Sequence, residues 1–136
     1  MTFPTAEDII RLHEVVLRQT GGSSGLRDAA ALEMCAARPY AGFGGTDMYP
    51  TLFTKAAATL ESLARNHVFV DANKRTAFIT AVYILEQNGY ITSFDQKDIE
   101  ESMVRFVVEK TSIQDIAEWL EKNSKTQETS GTYEKS

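Results

Sequence analysis

In the stretch HVFVDANKRTAF, residues 67–78, an imidazole, a carboxylate, an ammonium and a guanidinium fall within nine positions. His67, Asp71, Lys74 and Arg75 are residue types that between them can take a proton, hold a hard cation and neutralise phosphate oxygens. The apolar spacing that follows marks a helix over 72–88, stopped by Gly89. Lys74 and Arg75 therefore fall in its first turn, where the backbone dipole already favours anions and each exposed cation costs about 0.3–1 kcal/mol. Asp71 has an ordinary explanation as the N-cap. The two cations have none in local helix energetics, but the conflict disappears if an anion occupies the site, because amides, dipole, ammonium and guanidinium then face one charge. A mobile point charge beside a planar fork suits a polyphosphate better than a single carboxylate. With His67 set to accept a proton from an incoming hydroxyl and Asp71 to hold Mg²⁺ against substrate phosphates, the group reads as machinery for moving part of a nucleotide onto a hydroxyl. Phe69 is the anchor expected to turn the imidazole inward, and Arg65 is placed to reach the same pocket. A capped helix start that merely carries surface cations is the alternative, and these residues alone leave it open.

The elements that must position these groups are helical. Thr5 and Asp8 form a capping-box pattern, and Ile9, Leu12, Val16 and Leu17 recur at helical spacing until Gly21-Gly22. His13 lies near that apolar face and reads as a structural or half-exposed side chain. After the GGSSG loop, Asp28 caps a second helix that must end before Pro39. PYAGFGGTDMYP, residues 39–50, is bracketed by prolines and rich in glycine and aromatics, which marks a loop or short hairpin. Its Phe43 and Tyr49 are candidates for docking a target or partner chain. A third helix opens at Pro50 or Thr51 with a broad apolar face through Leu52, Phe53, Ala56, Ala57, Leu60, Leu63 and Ala64. Two more are expected, one from about Gln96 to Glu109 and one capped by Ser112 with Asp115. Trp119 reads as a packing residue. No strand alternation lasts long enough to build a sheet, so the fold class is all-α, with about six helices and the motif-bearing helix central. Residues 1–122 are expected to form the domain, and 123–136, polar and aperiodic, a disordered tail.

Composition narrows the function classes. The chain of 136 residues has room for one domain, and 43% hydrophobic residues suffice to close one core. A formal charge of -5 argues against a general binder of nucleic acid or anionic membrane. A single cysteine, Cys35, excludes an internal disulfide and reads as a small buried apolar residue in an alanine-rich run. Two histidines and one cysteine make no convincing zinc site. No stretch approaches the roughly 18 apolar residues of a membrane span, and the first residues lack a targeting pattern, so the expected location is cytoplasmic.

The run His67-Val68-Phe69-Val70-Asp71-Ala72-Asn73-Lys74-Arg75-Thr76-Ala77 resembles the signature of the death-on-curing (Doc) toxins, a branch of the Fic superfamily. The likeness extends through GLRD at 25–28, LE at 32–33, RP at 38–39 and YP-TLFTKAA at 49–57, covering about residues 25–90. It implies a Fic/Doc-like helical bundle with the HxFxDANKR motif at the N-terminus of the central helix. Fic enzymes carry HPFxxGNGRxxR and move AMP from ATP to a protein hydroxyl. This chain departs from that form, with Val68 for the proline, Ala72 and Lys74 for the two glycines, and Phe78 for the last arginine. The lysine form is the one shared by the Doc branch, for which the resemblance implies a reversed nucleotide and transfer of the γ-phosphate of ATP to a threonine of elongation factor Tu, stopping translation. Carried over by position, His67 is the general base, Asp71 the Mg²⁺ ligand, Asn73, Lys74 and Arg75 the phosphate binders, and Arg65 the match of a family arginine. Ile79 stands where the family has an asparagine. No [S/T]xxxE[G/N] self-inhibitory stretch is present, so the resemblance implies control by a Phd-like antitoxin whose segment orders on binding. AMP transfer and a non-catalytic scaffold that binds antitoxin or nucleotide are the rival readings.

Overall fold

Wherever a capping side chain precedes apolar residues at helical spacing, a helix begins. The computed structural model describes residues 1–127, and among these are six α-helices. Helix α1 spans Ala6–Thr20, with the Thr5 hydroxyl accepting from the Asp8 amide and the Asp8 carboxylate accepting from the Thr5 amide. It buries Ile9, His13 and Val16 and ends at Gly21, whose φ of 78° turns the chain sharply away. Helix α2, Ala29–Ala37, starts where the Asp28 carboxylate accepts from the Ala31 amide at 3.0 Å, and a 3-10 turn at Arg38–Tyr40 follows it.

The glycine-rich stretch folds as a small antiparallel hairpin, β1 Gly42–Phe43 with β2 Thr46–Asp47. Lys55 of helix α3, Leu52–Arg65, fixes it from below. Its buried ammonium donates to the Pro39 carbonyl at 2.8 Å and to the Asp47 carboxylate at 3.2 Å. Helix α4, Asn73–Gln87, packs along α3 and also meets α1. A short strand β3, Tyr90–Thr92, leads to α5, Gln96–Val108, and α6, Ile113–Lys122, capped by Asp95 and Ser112.

The two helices around the motif loop share the centre. Helix α3 touches α4, α6, α2 and α5, and nearly all of it is buried, including Ala56, Ala57, Ala58, Leu60 and Leu63. Small side chains allow that close approach, so the broad apolar face read from the sequence is the middle of the core. From α4 come Ala77, Ala81, Ile84 and Leu85, from α6 Ile116 and Leu120, and from the far ends Ile9 and Phe106. Cys35 is fully buried, donating its thiol to the Ser62 hydroxyl at 3.2 Å, and burial pushes that thiol up from its ordinary range. Trp119 packs edge-on against Phe106 and donates Nε1–H to the Asp98 carboxylate at 2.9 Å, so it is a packing residue that also ties α6 to α5.

One boundary differs from the sequence expectation. Residues 124–126, assigned to a structureless tail, form strand β4 (Ser124–Thr126) antiparallel to β3, and the Gln127 amide donates to the Gly89 carbonyl at 2.8 Å. Three residues without an alternating apolar pattern give no strand signal, and the pairing comes from the free backbone edge of β3. Residues 128–136, the rest of the expected tail, lie outside the described residues.

Candidate functional site

The loop between α3 and α4, residues 66–72, is held almost entirely through its backbone. Phe69 is clamped by one side chain: the Asn73 amide donates to its carbonyl at 2.9 Å and accepts from its N–H at 2.9 Å. Across the loop runs the segment 21–28. The Val68 carbonyl accepts from the amides of Arg27 and Asp28 at 2.8 and 3.0 Å, the Val70 amide donates to the Gly25 carbonyl at 3.0 Å, and Leu26 bridges Phe69. Val68 and Phe69 are buried beneath. The GGSSG stretch, which reads from sequence as a plain connection, is thus the second wall of the motif. A Cβ at Gly22 would stand 2.8 Å from the Asp71 carboxylate, and one at Gly25 would stand 3.0 Å from Val70, so glycine is what lets the two segments touch.

Asp71 does not cap α4 in the expected way. Its Oδ2 accepts from the Ser23 amide at 3.0 Å and its Oδ1 from the Ala72 amide at 2.8 Å. Those hydrogen bonds, Ser23 first, hold its carboxyl below the usual carboxylate range, with smaller help from Arg75 and His13. The N-cap position belongs to Ala72, in the left-handed conformation at φ 64°, and it offers no capping side chain. The first-turn amides of α4 are therefore left without a side-chain acceptor at the end of the helix that attracts anions.

Arg75 answers part of the puzzle of cations at a helix start. Its guanidinium bonds the Thr20 hydroxyl and donates to the Gly21 carbonyl at 3.1 Å, and it stands 4.0 Å from the Asp71 carboxylate. The positive start of α4 is thereby joined to the carbonyl-rich end of α1. Lys74 is exposed and has no hydrogen-bond or ion-pair partner among the described residues. His67 is exposed too, at a φ of 47°, and its carbonyl accepts from Arg27 at 3.4 Å. All four residues line one cavity of about 700 Å³, together with Asn73. Its lining also includes the apolar Phe78, Ile79, Ile99, Met103 and Val104 and the polar Gln96 and Glu100.

Three expected site residues are occupied otherwise. Arg65 does not line the cavity: its guanidinium donates to the Glu61 carboxylate at 3.2 Å and the Phe106 carbonyl at 3.0 Å, tying α3 to α5. The Asn73 side-chain amide, expected on phosphate, bonds the Phe69 backbone and shapes the loop, while the residue itself lines the cavity. Tyr49 accepts from Arg38 at 2.8 Å beneath a guanidinium 5.4 Å from its ring centre, so it anchors its loop. Phe43, at the hairpin, is 93% exposed. Sequence reasoning also underrated His13, which is buried against the motif loop. The turn-by-turn position it shares with Ile9 and Val16 put it on the buried face of α1, and that was the available signal.

Comparison with known proteins bears on this site. The model of the Fic/DOC family matches residues 3–85. The protein is similar to Toxin Doc of Mycolicibacterium smegmatis, 39% identical over 113 residues, which span 82% of this chain and 85% of that protein. It is also similar to Protein kinase doc of Escherichia phage P1, 32% identical over 114 residues, 84% of this chain and 89% of the phage protein.

Proposed function

The chain belongs to the Fic/DOC family, and from that premise we propose that it is the toxin of a toxin–antitoxin pair, a kinase that transfers the γ-phosphoryl group of ATP to a serine or threonine hydroxyl of a protein in the translation machinery. Elongation factor Tu is the first acceptor to test. The observation that carries the reading is that His67, Asp71, Lys74 and Arg75 line a single cavity at the start of a helix whose first-turn amides have no capping side chain. In this reading the triphosphate lies across the start of α4, where Lys74 and the first-turn amides neutralise its oxygens. Arg75, already braced by the end of α1, adds a fixed positive charge. The His67 imidazole takes the proton of the acceptor hydroxyl as its oxygen bonds to the γ-phosphorus. The bond from that phosphorus to the bridging oxygen breaks, ADP departs, and His67 returns the proton to solvent.

A Mg²⁺ ion fits the donor set: the Asp71 carboxylate is a hard oxygen ligand kept ionised, and the ion would neutralise phosphate charge. Among the described residues no group of three or more His, Cys, Asp or Glu side chains is placed to hold a metal, so the remaining ligands would be phosphate oxygens and water. The expected partners are a Phd-like antitoxin and the translation target, with exposed Phe43 as a target contact. No described helix is long and apolar enough to cross a membrane, and a translation target places the action in the cytoplasm.

The test is a translation extract supplied with γ-labelled or α-labelled ATP and either wild-type protein or His67→Ala. Label arriving from the γ position alone, and lost with His67→Ala, is the expected result. Label from the α position would replace phosphoryl transfer with AMP transfer, and growth arrest retained by His67→Ala would mean a scaffold rather than an enzyme.

A further inference from the structure

His13 is a buried titratable side chain that the reaction just described does not use. It is 3% exposed, comes from the middle of α1, and reaches the motif loop at two points. Its ring lies flat on that of Phe69, with centres 3.9 Å apart and planes within 5°. Its Nε2 is 2.9 Å from the backbone carbonyl oxygen of Asp71. A carbonyl only accepts, so Nε2 carries the proton and donates it.

That carbonyl belongs to the peptide joining Asp71 to Ala72, whose N–H donates to the Asp71 carboxylate at 2.8 Å. The peptide is thus gripped at both ends, by a buried imidazole on its oxygen and by Asp71 on its nitrogen. Its orientation sets φ of Ala72, which at 64° lies where a residue with a Cβ rarely rests. Rotating this peptide would let Ala72 relax toward an ordinary conformation. The same rotation would swing the Asp71 carboxylate and the first-turn amides of α4 away from the cavity they line.

We propose that His13 is a positioning residue for the phosphate site, its Nε2–H locking the Asp71–Ala72 peptide so that Asp71 and the start of α4 face the cavity. The proposal rests on reading that cavity as the site of phosphoryl transfer. Replacement of His13 then disturbs turnover more than nucleotide capture, because the cationic side chains of Lys74 and Arg75 remain, Arg75 still braced at the Gly21 carbonyl, while Asp71, which aligns the reacting phosphate, shifts. Phenylalanine preserves the stack on Phe69 and removes the donor. Glutamine sets an amide N–H where Nε2–H stood.

The experiment compares wild type, His13→Phe and His13→Gln by two readouts. One is the initial rate of γ-label transfer from ATP in a translation extract, as a function of ATP concentration. The other is hydrogen exchange at the Ala72 amide, with the buried Ala81 amide of α4 as the internal standard. In His13→Phe the rate at saturating ATP is expected to fall about tenfold or more, with the half-saturating concentration little changed. Exchange at Ala72 should speed up by about tenfold while Ala81 is unchanged. His13→Gln should restore both to within about threefold of wild type. The proposal is overturned if His13→Phe keeps both the rate and the Ala72 protection, or if His13→Gln is as impaired as His13→Phe. It is equally overturned if Ala81 loosens together with Ala72, which would make the histidine a packing residue. If wild type transfers no label, it is the phosphoryl-transfer reading that fails, and Ala72 exchange alone then decides the role of His13.

Discussion

At the scale of single residues, the site is a place where local rules are broken and the surrounding bonds hold the break. Ala72 occupies the left-handed region, which costs a residue with a Cβ about 1–2 kcal/mol relative to glycine. Part of that is returned because alanine has less freedom to lose from the unfolded chain. Ala72→Gly is therefore expected to raise stability by about 0.5–1 kcal/mol in urea denaturation, and an unchanged or lower midpoint would show the conformation to be unstrained. Asp71 makes a pH-dependent statement of its own. Its carboxyl is held below 3.8, the ordinary aspartate value, so the stability it contributes is complete above 3.8 and is lost as pH falls through that value toward its folded one. The stability difference between wild type and Asp71→Ala should accordingly hold constant from neutrality down to about pH 5 and shrink only below 3.8. A difference that already disappears near pH 6 would mean that Ser23 and Ala72 do not favour the charged form.

At the scale of elements, the candidate site is a joint between helix ends. Arg75 couples the start of α4 to the end of α1, and the loop after α1 lies against the loop before α4. Gly22→Ala should break that joint, because its Cβ would press on the Asp71 carboxylate at 2.8 Å from a backbone at φ 124°. A loss of about 1–3 kcal/mol is expected, together with impaired label transfer. Gly44→Ala, in open space at φ 58°, should cost less and leave transfer intact. Equal effects from the two would mean that the contact with Asp71 carries no weight. The contrast also marks what was legible in the chain. Caps at Thr5, Asp28 and Ser112 and the spacing of apolar residues placed the helices, because those signals are local. The role of GGSSG as a wall, of Asn73 as a loop clamp and of Arg65 as a tie to α5 arises from backbone groups and partners far apart in sequence, and no local pattern encodes them.

At the scale of the whole molecule, the domain is longer than its helices. Strand β4 covers the edge of β3, and the Asn123 carbonyl accepts from the Ser93 amide at 2.9 Å. Truncation after Lys122 should lower stability by about 1–3 kcal/mol, since several backbone hydrogen bonds of about 0.5–1.5 kcal/mol each are lost together. A thermal midpoint equal to that of the full chain would return these residues to a tail without structure. The overall charge of -5 argues against a broad polyanion-binding surface, and Lys74 and Arg75 at the start of α4 suit a local anion site. Titrating ATP with Mg²⁺ into isotope-labelled protein, and following every backbone amide by NMR, tests that site most directly. The expected result is that the amides of Asn73, Lys74 and Arg75 and the ring of His67 shift together and saturably, and that Lys74→Ala weakens the response. Shifts confined to the cleft between α5 and α6, lined by Arg105, Lys110 and Lys122, with the start of α4 unmoved, would contradict it.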